Sequence, residues 1–284
     1  MEALDVVHHV LTQKVIDQVI IPTKRGPKGY ALLLRLRLLL YAHLMAIFST
    51  RKLRKHLKKR PGVLRKFGLK TSPDRRTIDR WKKSLDQEFQ QMVRLAGDRY
   101  LQAKISEWTI LDSTPLIDEQ DPEAEIGHNS QGPFKGFKLH MSCDEHEVPL
   151  RATVTPGNVH DSQKAEELLA PTRRTGGDSA YESKKIKQAA KKQGSKPIFV
   201  HNPRREGKAK KRRTPKILRA VRVVIEQCNG FIKSEVMQHA WTRVKGLAAK
   251  TVFALTAVLA MQGLALFNVK WYGYPSIRIQ ELRV

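Results

Sequence analysis

The 284-residue sequence predicts an α/β protein in which a mixed sheet is flanked by helices and preceded by an all-helical N-terminal unit. Up to about residue 100, apolar residues recur at helical spacing, as in Leu4, Val7 and Leu11. Beyond residue 105 the pattern alternates instead, and residues 137–143 and 148–154 form two predicted strands joined by a polar turn. Strand–helix–strand units follow this hairpin. Together these features indicate a mixed sheet.

The boundary between the two parts is predicted at residues 104 and 105. In the first part an apolar helix at about 30–48 precedes a basic helix, since seven of the ten residues 51–60 are Lys or Arg. Ser72-Pro-Asp74 then predicts the start of another helix. A basic helix presented after a turn is typical of a helix-turn-helix DNA-binding unit, although a solvated basic face on a small bundle is the alternative. The side chains predicted to contact DNA are Arg75, Arg76, Arg80, Lys82 and Lys83.

The charge balance indicates a polyanionic partner. The chain has 53 Lys and Arg against 27 Asp and Glu, a net charge of +26. Charge alone does not separate a DNA enzyme from a ribosomal or membrane-surface protein. Cys143 and Cys228 are the only cysteines, which argues against a zinc ribbon and indicates free thiols in a reducing, cytoplasmic compartment. No signal peptide is expected, and the uncharged run 251–269 is interpreted as a buried core helix rather than a membrane span.

Three carboxylates lie where a magnesium-dependent phosphoryl-transfer site would need them. Asp112 ends a predicted strand, Asp178 lies in a Gly-Gly-Asp turn between a strand and a helix, and Glu226 shares one side of a helix with Arg222 and Lys233. Carboxylate oxygens are the ligands that hard cations prefer, and two such ions can promote phosphoryl transfer. Each acid also has an ordinary alternative: a turn or cap for the two aspartates, and an ion pair on a solvated helix for Glu226.

From about residue 108 to 267 the chain resembles the DDE transposases of bacterial and archaeal insertion sequences, and more narrowly the insertion-sequence four/five group. Five motifs in the family's order carry this resemblance: Leu111-Asp-Ser-Thr114, Gly136-Phe-Lys-Leu-His140, Thr155-Pro-Gly-Asn-Val-His-Asp161, Gly177-Asp-Ser-Ala-Tyr181 and Arg222-x3-Glu226-x6-Lys233. The chain departs from the group at Arg219, where a Tyr is common. It departs again at 173–177, where the strand before the second Asp is usually apolar.

The resemblance implies an RNase H-like fold with Asp112, Asp178 and Glu226 as catalytic residues that bind two Mg²⁺ ions, with Mn²⁺ able to substitute. Arg222 and Lys233 would bind DNA phosphate beside the scissile bond. The family hydrolyses one strand at each element end and joins the freed 3′ end to target DNA. The resemblance therefore implies that the partner is double-stranded DNA and that at least a homodimer assembles on it. It also implies no membrane association and a location at the prokaryotic nucleoid. A catalytically inactive, transposase-derived DNA-binding protein and a structural ribonucleoprotein component are the alternatives.

Four further segments carry charge and receive separate predictions. Asp161 is predicted to cap a helix, and Asp144 to lie in a solvated hairpin turn. The acidic loop 118–125 is predicted to be flexible. The basic segment 202–216 is predicted to be a mobile loop that becomes ordered on DNA phosphate.

Overall fold

The structure is a computed structural model of the chain, and it describes residues 2–20, 29–129, 131–201 and 215–282. Most of the predicted basic loop, residues 202–214, lies outside the described residues. The N-terminal part is helical, as predicted. Its helices are α1 (Ala3–Val10), α2 (Gln13–Ile16), α3 (Leu32–Leu44), α4 (Thr50–Lys59), α5 (Pro61–Lys66), α6 (Arg75–Ser84) and α7 (Asp86–Ala103).

Local signals explain where the basic helices begin. The Ser49 hydroxyl accepts from the Lys52 backbone N–H at the start of α4, and Leu53 and Leu57 supply its buried stripe. The cap of α6 is Asp74 and not Ser72, because the Asp74 carboxylate accepts the Thr77 backbone N–H at 2.9 Å. The predicted helix start is therefore shifted by two residues.

The second part contains a six-stranded mixed sheet. Its strands are β1 (Trp108–Ile117), β2 (Glu125–Asn129), β3 (Gly132–Cys143), β4 (Pro149–Pro156), β5 (Arg174–Gly177) and β6 (Lys196–Phe199). β1 is antiparallel to β3 and parallel to β5, which is parallel to β6. β4 and β2 lie end to end along the other edge of β3. Apart from β2, the order β4-β3-β1-β5-β6 is that of an RNase H-like sheet, and the predicted fold class is confirmed.

Helices cover both faces of this sheet. On one side lie α8 (Ala165–Leu168) and α9 (Lys184–Lys192), and on the other lie α7, α10 (Lys216–Phe231) and α11 (Leu247–Tyr272). Helix α11 also packs against α1, α3 and α6, so the core is continuous between the N-terminal helices and the sheet. The boundary at residues 104 and 105 stays a prediction.

Helix α11 contains the uncharged run that the sequence placed in the core. Among the described residues, it alone is long and apolar enough to cross a membrane, and 89% of its most apolar window is buried inside the protein. Burial to this extent is what a core helix requires, since one that is apolar all round has no solvent face.

The acidic loop 118–125, predicted to be flexible, is instead held to the core by two of its acids. Asp118 and Asp121 are buried, and both carboxylates lie beside the ammonium of Lys250, which is fully buried in α11. The Asp121 carboxylate also accepts the Gly246 backbone N–H at 2.9 Å, at the start of α11. Buried acids need such partners, so this loop is fixed to the helix.

The turn between β3 and β4 also differs from the prediction of a solvated hairpin. Asp144 is buried, and its carboxylate accepts the Tyr100 hydroxyl and the Ser106 hydroxyl, both at 2.8 Å. Its other oxygen accepts the backbone N–H groups of His146 and Val148. Asp144 therefore joins the hairpin to α7 and has a structural role.

Candidate active site

Asp112 lies within β1, not at its end as the sequence predicted. The parallel pairing with β5 stops at Leu111 opposite Gly177. The antiparallel pairing with β3 continues as far as Ile117, and this keeps the strand extended beyond the carboxylate. Asp112 therefore occupies the first position of β1 that has no β5 partner.

Asp178 directly follows Gly177, so the register brings it beside Asp112. Its carboxylate caps the 3₁₀ turn Ser179–Tyr181 by accepting the Ala180 backbone N–H at 2.8 Å. The glycines before it are required by packing: a Cβ at Gly177 would meet the Tyr181 ring at 3.0 Å and the Leu111 carbonyl oxygen at 3.1 Å. The segment before Asp178 forms a strand through its parallel pairing with β1 and β6, although it has no apolar pattern.

Asp112 has an unusual electrostatic environment. Burial raises the pKa of its carboxyl group to about 7, against the stabilising effect of the Ser113 backbone N–H. The negative charge of Asp178 raises this pKa further, and the positive charge of Arg222 lowers it. A buried carboxylate whose charge is disfavoured by a neighbouring carboxylate is typical of a cation-binding site.

Helix α10 lies across these two aspartates and carries Arg222 and Glu226. The Glu226 side chain is 59% exposed, and its carboxylate lies 3.7 Å from the Arg222 guanidinium. The sequence placed Lys233 on the same α-helix, but α10 ends at Phe231 and Lys233 lies in a π-helical turn, Ile232–Val236. Burial lowers the pKa of Lys233, and the negative charge of Asp112 opposes that shift.

Asn229 is a site residue that the sequence did not reveal. Its side-chain amide donates to Oδ2 of Asp112 at 2.9 Å. The residue is buried one turn after Glu226, among the apolar side chains of α10. Asn229 lies seven residues after Arg222 and, at about 100° per residue, within roughly 20° of it, so its place in the row of Arg222, Glu226 and Lys233 was the signal that could have indicated it.

Asp161 also belongs to this region, and not as a helix cap. The cap of the 3₁₀ turn Asp161–Gln163 is the side chain of His160. The Asp161 carboxylate instead accepts from the Lys138 ammonium at 3.0 Å and lies 3.7 Å from Nδ1 of His140. Its negative charge contributes to the raised pKa of Asp112.

The three predicted acids are not drawn together as the ligands of one ion. Within the described residues, no group of three or more His, Cys, Asp or Glu side chains is close enough to hold a metal. Asp112 and Asp178 are neighbours, whereas Glu226 is turned towards Arg222 and solvent.

Residues 104–262 match the family described as "Transposase DDE domain". The chain belongs to this family. A solved structure titled "Cryo-EM structure of piggyBac transposase synaptic complex with hairpin DNA" is 9% identical and has a TM-score of 0.49, covering 99% of this chain and 79% of that one. No curated protein was found to match the chain.

The transposase DDE domain match includes Asp112, Asp178 and Glu226, together with Asn229 and Asp161. It begins just after α7 and ends within α11. The basic helices α4 and α6 therefore lie outside the DDE domain.

Four of the five basic side chains predicted to contact DNA are exposed on α6: Arg75, Arg76, Arg80 and Lys83. Lys82 is different, because its ammonium donates to the Phe48 carbonyl at 2.7 Å and to the Thr50 hydroxyl at 3.0 Å. Burial lowers its pKa. These contacts favour an internal role for Lys82, in which it fixes α6 to the start of α4. The DNA contacts of the other four stay predictions.

Proposed function

We propose that this transposase binds the ends of an insertion sequence, cleaves DNA by metal-dependent phosphodiester hydrolysis and joins the 3′ ends to target DNA. The observation that carries the proposal is the meeting of three elements. The parallel neighbours β1 and β5 bring Asp112 and Asp178 side by side, and α10, which carries Arg222 and Glu226, contacts Asp112 through Asn229. Membership of the transposase DDE domain family supports the same reaction.

The donor set suits a hard divalent cation. Asp112, Asp178 and Glu226 would hold it, and Mg²⁺ and Mn²⁺ both accept such carboxylate oxygens. The buried Oδ1 of Asn229 has no hydrogen-bond partner among the described residues, which leaves an orphaned oxygen beside Asp112. Because Glu226 is exposed, its side chain is free to turn towards the two aspartates. When bound, two cations would activate the attacking oxygen and stabilise the leaving oxygen.

The chain's own cations have a separate role in the proposal. Arg222 pairs with Glu226, and Lys233 interacts electrostatically with Asp112, which supports the proposal that each binds a phosphate of the substrate. A guanidinium can bind phosphate with two parallel hydrogen bonds, while an ammonium acts as a compact charge. The two would hold the scissile strand against the acids.

End binding is assigned to the N-terminal helices. Exposed cations on α4 and α6 provide the charge that phosphate contact requires, and the net charge of +26 favours DNA as the partner. Two element ends must be held together, so at least a homodimer on DNA is proposed, in the prokaryotic cytoplasm.

The test is strand cleavage with Mg²⁺ on duplexes carrying the inverted repeats that flank the coding sequence. Asp112→Asn, Asp178→Asn and Glu226→Gln should each abolish cleavage while duplex binding persists. The matched control is Glu167→Gln, which removes an exposed acid paired with Lys164 and should cleave normally. If all three variants cleave like the unaltered chain, the site assignment is wrong. If the unaltered chain binds ends but never cleaves them, the inactive DNA-binding alternative holds.

A further inference from the structure

Helix α9 carries a lysine-rich surface that the acidic site does not use. Residues 183–197 contain six lysines and no acid. Four of these lysines lie on the exposed side of α9, opposite the buried Ile186 and Ala190, and form the α9 lysine face: Lys184, Lys185, Lys191 and Lys192. We infer that this face binds phosphates of the target duplex to which the 3′ ends are joined. The inference rests on the proposed function and adds to it the surface that holds the second DNA.

The shape of the α9 lysine face suits a DNA backbone. At about 100° per residue, its four lysines fall within roughly 120° of one another on the helix. Lys184 and Lys192 are separated by about 12 Å along the helix axis. One DNA strand presents about three to four phosphates over that length. The face therefore matches a short stretch of backbone in length and in the sign of its charge.

Most of this charge has no partner in the chain. Lys184, Lys191 and Lys192 form no ion pair with any residue that the structure describes. The Lys185 ammonium lies 2.9 Å from the Glu166 carboxylate, but its side chain is 83% exposed. An ion pair at such exposure contributes little and leaves the lysine accessible. The α9 lysine face is therefore an uncompensated positive surface.

Helix stability does not explain the first two lysines of the face. Lys184 and Lys185 lie in the first turn of α9, which contains no acid. The start of a helix carries a partial positive charge, so cations there are unfavourable and acids are favourable. Helix α7 follows that rule with Asp86 and Glu88 in its first turn. A phosphate bound beside the first turn of α9 would offset the unfavourable charge.

The topology places this first turn at the edge of the sheet that carries the acids. Because β5 and β6 are parallel, the helix between them begins where β5 ends and runs back along the sheet. Asp178 directly follows β5, and Lys184 lies six residues after it. The Ser183 hydroxyl fixes the start of α9 by accepting the Ile186 backbone N–H at 3.2 Å. A duplex held on α9 therefore reaches the edge where Asp112 and Asp178 lie.

The α9 lysine face and the basic N-terminal helices lie on opposite sides of the sheet. Helix α9 packs on β6 beside α8, whereas α6 packs against α11 and carries α4 with it. A duplex bound by α4 and α6 would leave α9 free for another. The proposed reaction brings two duplexes together, the element end and the target. With the end assigned to the N-terminal helices, α9 is the surface for the target.

The experiment compares end cleavage with the joining of precleaved ends to a target plasmid, both with Mg²⁺. The first variant is Lys184→Gln/Lys191→Gln/Lys192→Gln. We expect normal cleavage, and joining that falls about tenfold or more at subsaturating plasmid, because about three phosphate contacts are lost. Joining should recover as the plasmid concentration rises, since only target binding is weakened. The slope of log K against log salt for target binding should become shallower by about 0.9 for each lysine.

A second variant separates target binding from helix stability. Lys184→Glu puts an acid in the first turn of α9, where the helix dipole favours it. Its unfolding temperature should therefore not fall, although joining does. The matched control is Lys14→Gln/Lys270→Gln/Arg278→Gln, which removes the same charge from exposed side chains elsewhere. This control should cleave and join like the unaltered chain.

Normal joining in both α9 variants overturns the inference and leaves the proposed function standing. An equal loss of cleavage and joining also overturns it, because the face would then hold the element end. An equal loss of joining in the control variant would show that total charge, and not the α9 lysine face, determines target binding. If the unaltered chain cleaves and joins no ends, the proposed function falls together with the inference.

Discussion

Asn229 donates its side-chain amide to Oδ2 of Asp112 at 2.9 Å, and this hydrogen bond joins α10 to the central strand β1. A donor at this place stabilises the ionised carboxylate, which burial disfavours. Because Glu226 lies one turn earlier on the same helix, the bond also holds the backbone at Glu226 close to β1. Asn229 thus stabilises the charged Asp112 carboxylate and holds α10 against β1.

Replacing Asn229 by Ala should shift the pH dependence of DNA cleavage. Without the amide donor the protonated form of Asp112 is favoured, so its pKa rises above the value of about 7. A hydrogen bond to a charged group contributes about 1.5–3 kcal/mol, which corresponds to a rise of roughly one to two pH units. Below the pKa the carboxyl group cannot bind a cation, so the acid limb of the rate profile moves to higher pH. Cleavage rates between pH 6 and 9 at subsaturating Mg²⁺ measure this shift.

The matched control for that variant is Gln227→Ala, an exposed residue on the same helix. Its acid limb should coincide with that of the unaltered chain. An acid limb that does not move in Asn229→Ala would show that the amide has no influence on the charge of Asp112.

Asp112→Asn should stabilise the cation-free protein at alkaline pH although it abolishes cleavage. The folded-state pKa of about 7 lies above the ordinary value of 3.8, so the folded chain binds a proton that the unfolded chain has lost. The contribution of this group to the free energy of unfolding is present at low pH and is lost as the pH rises through 7. Asn carries no charge to bury. With EDTA at pH 8 the unfolding temperature of the variant should therefore be several degrees higher, since each kcal/mol corresponds to about 2–4 °C.

At pH 4 the difference between Asp112→Asn and the unaltered chain should nearly disappear, because Asp112 is then protonated in the folded state. Thermal unfolding at the two pH values, followed by circular dichroism, makes the comparison. A variant that is less stable at both pH values would contradict the burial argument.

The fold could be predicted because its elements are marked by local patterns. β3 alternates strictly, and α6 has a capping signal at its start. β5 is the exception, since Arg174-Thr-Gly-Gly177 has no apolar alternation. It is a strand because it pairs with β1 and β6, and Trp108 and Leu218 pack closely against Gly176. Such close packing depends on residues distant in sequence, which periodicity does not detect.

The site was only partly predictable for the same reason. The adjacency of Asp112 and Asp178 follows from two parallel strands, which the motif order implied. The pairing of Lys138 with Asp161 depends on how the loop after β4 returns across the sheet. The acidic loop 118–125 was predicted to be flexible, but Asp118 binds Lys250, which lies 132 residues further along the chain.

The neighbouring lysines of α6 should respond differently to the same substitution. Lys83→Ala removes an exposed charge, so it should weaken DNA binding and leave the unfolding temperature unchanged. The slope of log K against log salt should become shallower by about 0.9. Lys82→Ala removes the donor to the Phe48 carbonyl and Thr50 hydroxyl, so it should lower the unfolding temperature. Fluorescence anisotropy between 50 and 200 mM salt and thermal unfolding separate the two. Equal stability losses would contradict the assigned internal role of Lys82.

Lys250→Met should be strongly destabilising, although it replaces a charge in an apolar helix by an apolar side chain. The Lys250 ammonium is fully buried and lies 2.6 Å from Asp118 and 3.5 Å from Asp121. Its loss leaves buried carboxylates without their main counter-charge, a change that costs about 3–5 kcal/mol. Lys245→Met is the control, because Lys245 binds the same Asp118 from a partly exposed position and should cost at most about 1 kcal/mol. Urea unfolding measures the free energy of unfolding of both variants. Equal losses would contradict the expectation that burial of the lysine determines how much its removal costs. The expected difference arises because water can replace the ammonium of Lys245 but cannot reach the position of Lys250.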